Sequence, residues 1–149
     1  MNEAIIKNWN NLINPEDIVY VLGDVLMGKK IESAKYLARL NGEKYLIIGN
    51  HDLKKGKLCE ELKPYFKCVY DELWLTINGI NLYMHHQPMP KEKWASADYC
   101  LIGHVHDRWV RKGNMINVGQ DAWGLTPRTL DELLEAKDEG EYNPETDTH

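Results

Sequence analysis

Residues 99–106 read Tyr99-Cys100-Leu101-Ile102-Gly103-His104-Val105-His106, and this stretch decides the fold. A short apolar run bounded by a turn residue reads as a buried strand, and here two imidazoles follow the terminating glycine. Two other stretches share the pattern. Ile18-Val19-Tyr20-Val21-Leu22 runs into Gly23-Asp24, and Tyr45-Leu46-Ile47-Ile48 runs into Gly49-Asn50-His51-Asp52. Open α/β sheets bind ligands outside the carboxyl ends of their strands. Strands that end in Asp, Asn and His therefore predict an α/β fold with a metal site along one sheet edge. Of the six His, five lie in these segments or in Met84-His85-His86-Gln87-Pro88, which a random scatter would not produce; His149 is terminal.

Working outward, the chain has 149 residues, enough for one domain with a real core. Apolar residues make up 43% and charged residues 28%, ordinary values for a globular protein. A formal net charge of −5 argues against broad electrostatic capture of nucleic acid. Cys59, Cys68 and Cys100 are odd in number and form no CxxC pair, as expected of reduced thiols in a cytoplasmic protein. Cys100, inside an apolar run, reads as a small core residue. No window approaches the ~20 apolar residues of a membrane span, and no signal peptide is visible.

The order of elements is helix, strand, helix, strand, further strands, and a final helix. Ile5, Trp9 and Leu12 predict one face of the first helix, and Asn14-Pro15-Glu16-Asp17 ends it. Ile31, Ala34, Leu37 and Ala38 predict a second helix with a glycine stop at Asn41-Gly42. Asn78-Gly79 predicts a two-residue hairpin between alternating strands, and Met115-Ile116-Asn117-Val118-Gly119 a last strand. Thr129-Leu130-Asp131-Glu132 has capping-box spacing before Leu133 and Leu134. Residues 1–137 form the domain, and the acidic, non-periodic residues 138–149 read as a disordered tail.

Taken in order, Gly-Asp, Gly-Asn-His-Asp, a strand-end His and Gly-His-x-His resemble the calcineurin-like metallophosphoesterases. The likeness is to small single-domain members of bacteria and phages, and runs from the first helix to about Leu134. It implies a four-layer α/β-β/α sandwich with mixed sheets, and hydrolysis of phosphomonoesters or phosphodiesters by a metal-bound hydroxide. Two divalent ions about 3.5–4 Å apart would polarise the phosphoryl oxygens and activate a water. Mn²⁺ suits the mixed oxygen and imidazole donors, with Fe, Zn, Co or Ni as alternatives. The implied partner is a small phosphate ester or nucleotide, with no membrane; a homo-oligomer is compatible.

By the same resemblance Asp24 is the carboxylate shared by both ions. Asn50, His86 and His104 join it at the second metal, and His106 joins it at the first. His86 is chosen over His85 because His86-Gln87-Pro88 fits the family's His-x-Pro; a one-residue register shift would reverse the choice. An extended backbone would point His104 and His106 the same way. His51 would protonate the leaving group, with Asp52 orienting its ring. Trp94, Trp109 and Trp123 could line a cleft or anchor packing, and Arg108 could meet phosphate or solvent. Lys54, Lys55 and Lys57 read as a solvated loop.

Two rival metallohydrolase patterns fail. His-x-His-x-Asp-His would need Asp and His where Arg108 and Trp109 stand, and a (β/α)₈ barrel needs a longer chain.

The family's opening strand ends in Asp-x-His, which supplies two ligands of the first metal, and no such strand precedes the first helix of this sequence. A truncated gene or gene model is the expected cause. A catalytically impaired relative that binds a partner or itself is the alternative. With only Asp24 and His106 left at the first metal, the isolated chain is expected to hold one ion well and the other weakly. Metal content after Mn²⁺ loading and desalting checks this; two equivalents bound at micromolar metal would contradict it.

Overall fold

The computed structural model describes residues 3–22, 37–48, 53–54, 57–58, 64–105, 108–119 and 128–148. The chain divides into two compact units, residues 1–70 and 71–149. No shift in composition marks the division. Both units are α/β or β-rich with few helices, and the sheets are mixed in strand direction across the chain.

In the first unit, α1 spans Glu3–Leu12 and β1 Ile18–Leu22; β2 spans Glu43–Ile47. β3 (Leu53–Lys54) and β4 (Lys57–Leu58) form a short antiparallel pair, and β5 is Cys68–Tyr70. β1, β2 and β5 lie in that order and all run parallel, with Tyr20 opposite Tyr45 and Tyr45 opposite Cys68. β1 coincides with the first apolar run predicted as a strand, and β2 overlaps the second, starting two residues earlier and ending one residue earlier.

The α1 face matches the predicted one at Trp9 and departs from it at Leu12; the Ile5 side chain lies outside what is described. Ile6 and Trp9 are buried with Leu37, Leu40, Leu46 and Phe66, and Ile13, Val19, Val21 and Val69 pack on them. Leu12 is instead 58% exposed. The helix rotation is set by hydrogen bonds to the turn before β2. The Trp9 indole N–H donates to the Asn41 carbonyl (2.9 Å), and Asn10 Oδ1 accepts from the Asn41 N–H (2.8 Å). Asn10 Nδ2 donates to the Arg39 carbonyl (2.8 Å), and Asn41 Nδ2 to the Ile13 carbonyl (2.9 Å). Positions 6, 9 and 13 then meet the sheet at i, i+3, i+7 spacing. Burying a side chain such as Ile6 contributes about 1.5–3 kcal/mol.

The helical residue described in this stretch is Leu37, and Gly42, the predicted stop, takes positive φ five positions later in the turn into β2; Ile31 and Ala34 lie outside the described residues. Lys44 is buried, and its ammonium donates to the carbonyls of Leu40 and Gly42, which would otherwise end the chain turn unsatisfied. Desolvation lowers the Lys44 pKa from its ordinary value.

In the second unit, β6 (Glu72–Ile77) and β7 (Ile80–His85) form the predicted hairpin, pairing from Glu72–His85 to Ile77–Ile80. Asn78 (φ 52°) and Gly79 (φ 80°) both take positive φ, as a type I′ turn requires. A short 3₁₀ turn, Lys91–Trp94, precedes β8 (Tyr99–Ile102); β9 (Arg111–Lys112), β10 (Met115–Asn117) and α2 (Leu130–Leu134) follow. The sheet order is β6-β7-β8-β10-β9, parallel through β7, β8 and β10 and antiparallel at both outer pairs. Tyr83, Trp94, Cys100, Ile102, Val105, Trp109 and Met115 form its core. Burial pushes the Cys100 thiol up to about 12, so it stays protonated, the small core residue expected. The Thr129–Glu132 capping box is formed, and Leu133 is buried.

Residues 138–148, read from composition as a disordered tail, are hydrogen-bonded onto β9 and the residues before it. Glu139 accepts from the backbone N–H of Val110 (2.6 Å) and Arg111 (3.0 Å) and donates its own N–H to the Arg111 carbonyl (2.9 Å). Asp138 accepts from Gly113 N–H (2.9 Å), and Tyr142 packs against the Trp109 ring. Acidic side chains here satisfy backbone donors at an exposed strand edge, a role that composition does not register. Among the described residues no helix is long and apolar enough to cross a membrane.

Gly42 is required twice over. Its φ is +102°, and an added Cβ would lie 2.9 Å from Val19 Cγ2 and 3.0 Å from Ile13 Cγ2. Gly42→Ala is expected to lower unfolding stability by about 1–3 kcal/mol, measured by urea denaturation. An unchanged midpoint would contradict the packing described.

Candidate metal centre

The centre is built where β7 and β8 end. The two strands are parallel with Met84 opposite Leu101, so their carboxyl ends reach the same sheet edge. Beyond the last paired residues, Gly103 N–H donates to the His86 carbonyl (2.8 Å), which carries the register two residues further. His86 then stands beside His104. His104 Nδ1 and His86 Nε2 are 3.3 Å apart, with the rings near perpendicular at 80°. His86 is 2% exposed and His104 partly buried.

His104 is placed by an uncommon backbone turn. Its φ is +68°, and Val105 N–H donates to the Gly103 carbonyl across it (2.7 Å). A bond between residues i and i+2 over a positive φ is a γ-turn of the rare, strained kind. For a residue with a Cβ such a conformation costs on the order of 1–3 kcal/mol and persists only where its surroundings fix it. Val105, fully buried in the core, fixes one side, and the Gly103–His86 bond fixes the other. The extended backbone assumed for alternating His104 and His106 is therefore not what occurs at His104.

Two imidazole nitrogens that share one ion at about 2.1 Å in a tetrahedral arrangement lie about 3.4 Å apart. The observed 3.3 Å fits that donor geometry. It equally lets one ring donate its N–H to the other. To hold an ion both nitrogens must present lone pairs, so the shared proton leaves or moves to the far nitrogen of its ring. Among the described residues no group of three or more His, Cys, Asp or Glu is placed to hold a metal. Asp24, Asn50, His51, Asp52 and His106 lie outside the described residues, so the structure brings together His86 and His104 from the predicted set.

His85 is placed differently from its neighbour. Half-buried, it pairs across the sheet with Glu72, lies parallel to the Tyr83 ring, and accepts at Nδ1 from the Gln87 N–H (3.0 Å). Burial lowers its pKa, which favours the neutral ring. Trp94 and Trp109 are buried in the core, the packing role rather than the cleft one; Trp123 is outside the described residues. Arg108 is exposed and donates to the Thr146 carbonyl (2.9 Å). None of the motifs points to Asn117, whose side chain is fully buried at the same sheet edge. The available signal is an amide within the otherwise apolar run 115–119.

No protein-family model matches the chain. It is 30% identical over 149 residues to the uncharacterized protein MJ1445 of Methanocaldococcus jannaschii, covering 94% of this chain and 77% of that one. It is 28% identical over 158 residues to the gene 66 protein of Mycobacterium phage D29, covering 85% and 78%. Among solved structures, a protein of unknown function from Aquifex aeolicus, AQ665, superposes with a TM-score of 0.67 at 26% identity, over 89% of this chain and 82% of that one. A novel archaeal phosphodiesterase superposes with a TM-score of 0.53 at 22% identity, over 78% and 76%; this likeness is one of fold.

The strained turn makes a prediction about stability alone. Both His104→Ala and His104→Gly remove the ring, but glycine also removes the penalty of positive φ. The glycine variant should be the more stable of the two by about 1–2 kcal/mol in chemical denaturation. Equal midpoints would contradict a strained His104.

Proposed function

The chain belongs to the family of the M. jannaschii protein MJ1445, and from that premise we propose that it is a metal-dependent phosphoesterase of the calcineurin-like type. The observation that carries the proposal is the His86–His104 nitrogen pair, 3.3 Å apart at the carboxyl ends of two parallel strands. The fold shared with an archaeal phosphodiesterase supports it.

His86 and His104 would hold a divalent ion, Mn²⁺ first among the alternatives. Asp24, Asn50 and His106 are proposed as further donors on the strength of their motifs. A bound divalent ion supplies polarisation of the phosphoryl oxygens and a lowered pKa for water at neutral pH. The chain's own residues do the rest. His104, held by its turn, and His86, held in the core, keep the donor nitrogens fixed before metal arrives, so little ordering is needed on binding. His51 is proposed to deliver a proton to the leaving oxygen, with Asp52 holding its ring; such a donor contributes ~10²–10⁴ in rate. The substrate class is phosphomonoesters or phosphodiesters, including nucleotides.

The test uses p-nitrophenyl phosphate and bis(p-nitrophenyl) phosphate with the Mn²⁺-loaded protein. At least one should be hydrolysed, with activity lost to EDTA and regained with Mn²⁺. His86→Ala and His104→Ala should each lower kcat by roughly 100-fold or more and lose bound metal in parallel. Mn²⁺ binding without hydrolysis of either ester would replace this proposal with the binding-module alternative. No Mn²⁺ binding would overturn it.

A further inference from the structure

The segment that carries the His104 turn is tied at its two ends to the end of β10, around Asn117. The chain leaves β8 at Ile102 and returns into β9 at Arg111, with residues 103–105 and 108–110 of the 103–110 connection described. Asn117, at the end of β10, closes the neck of that loop. Its backbone N–H donates to the Val110 carbonyl (2.7 Å) and its side-chain Nδ2 to the Trp109 carbonyl (2.8 Å), both at the loop's exit. At the loop's entrance, the next residue, Val118, donates its N–H to the Ile102 carbonyl (2.8 Å).

The amide is itself held: Asn117 Oδ1 accepts from the Gly119 N–H (2.9 Å). Gly119 leaves room for this, since a Cβ there would meet Asn117 Oδ1 at 3.0 Å. With its side chain fully buried, Asn117 would strand polar atoms if the loop moved away, at a cost of about 1–3 kcal/mol per unsatisfied group. The neck therefore resists opening. Between its two ends lies the strained residue, whose φ of +68° needs such a constraint.

We propose that Asn117 is the positioning residue of the candidate metal centre, closing the neck of the 103–110 loop so that His104 keeps the turn that sets its ring beside His86. The proposal rests on the phosphoesterase reading only for the metal; the holding of the turn stands apart from it. A merely structural Asn would lower overall stability without singling out the turn.

The experiment compares the full-length protein with Asn117→Ala, and with Gly119→Ala, which keeps Asn117 but crowds its Oδ1. Gly119→Ala serves if Asn117→Ala does not fold. Two quantities are read well below the melting temperature. The first is amide hydrogen exchange at Val105, relative to the β7–β8 strand amides. The second is Mn²⁺ affinity. The expected result is at least tenfold faster exchange at Val105 with the strand amides unchanged, and Mn²⁺ Kd weakened tenfold or more. Unchanged Val105 exchange in a folded variant would overturn the proposal. So would faster exchange with Mn²⁺ affinity held within twofold. If the unsubstituted protein binds no Mn²⁺ while Val105 exchange still rises, the turn-holding role is supported and the metal reading alone falls.

Discussion

The constraint on which the centre depends is a backbone angle. His104 sits at φ +68°, where an L-residue is disfavoured, and there its ring meets that of His86 at 3.3 Å. A strained residue of this kind survives because its neighbours leave it no alternative. Here the parallel register of β7 and β8 delivers both histidines to one edge, and the Gly103–His86 bond extends that register past the last ladder pair. Val105, driven into the core immediately afterwards, prevents the chain from relaxing into an extended path. The sheet thus exchanges a little stability for a fixed pair of nitrogen donors.

The first unit meets a different demand. A parallel three-stranded sheet needs its connections to cross over and cover a face. Helix α1 supplies cover, and its rotation is set less by apolar pattern than by the Asn10–Asn41 amides and the Trp9 indole. These polar contacts work because they are paired; a buried amide without a partner would cost more than the packing gains. Gly42 and the buried Lys44 finish the same turn, one by taking a conformation that other residues resist and one by satisfying its carbonyls.

What was legible in the sequence followed from local rules. β1 and β8 span the predicted apolar runs, the Asn78-Gly79 hairpin has both φ values positive, and the Thr129 capping box is formed. Each of these depends on a few adjacent residues. What was not legible depends on tertiary context. Ile5-Trp9-Leu12 and Ile6-Trp9-Ile13 have equally helical spacing, yet Leu12 is exposed while Ile6, Trp9 and Ile13 pack in the core, where hydrogen bonds to a distant turn hold the helix. Residues 138–148 look like solvated acid in composition, yet Asp138 and Glu139 are acceptors for backbone donors 25 or more positions away. His86 and His104, which the resemblance assigns to one metal, stand side by side, while the alternation expected to point His104 and His106 the same way does not apply at the positive φ of His104. Asn117 carries no motif at all; its importance comes from closing a loop.

The central claim is that His86 and His104 form one half of a metal-binding site. An anomalous difference map from crystals loaded with Mn²⁺ tests it most directly. The account predicts a peak within about 2.0–2.3 Å of both His86 Nε2 and His104 Nδ1. A map with no peak there, with the two rings still hydrogen-bonded to each other under saturating metal, would contradict it.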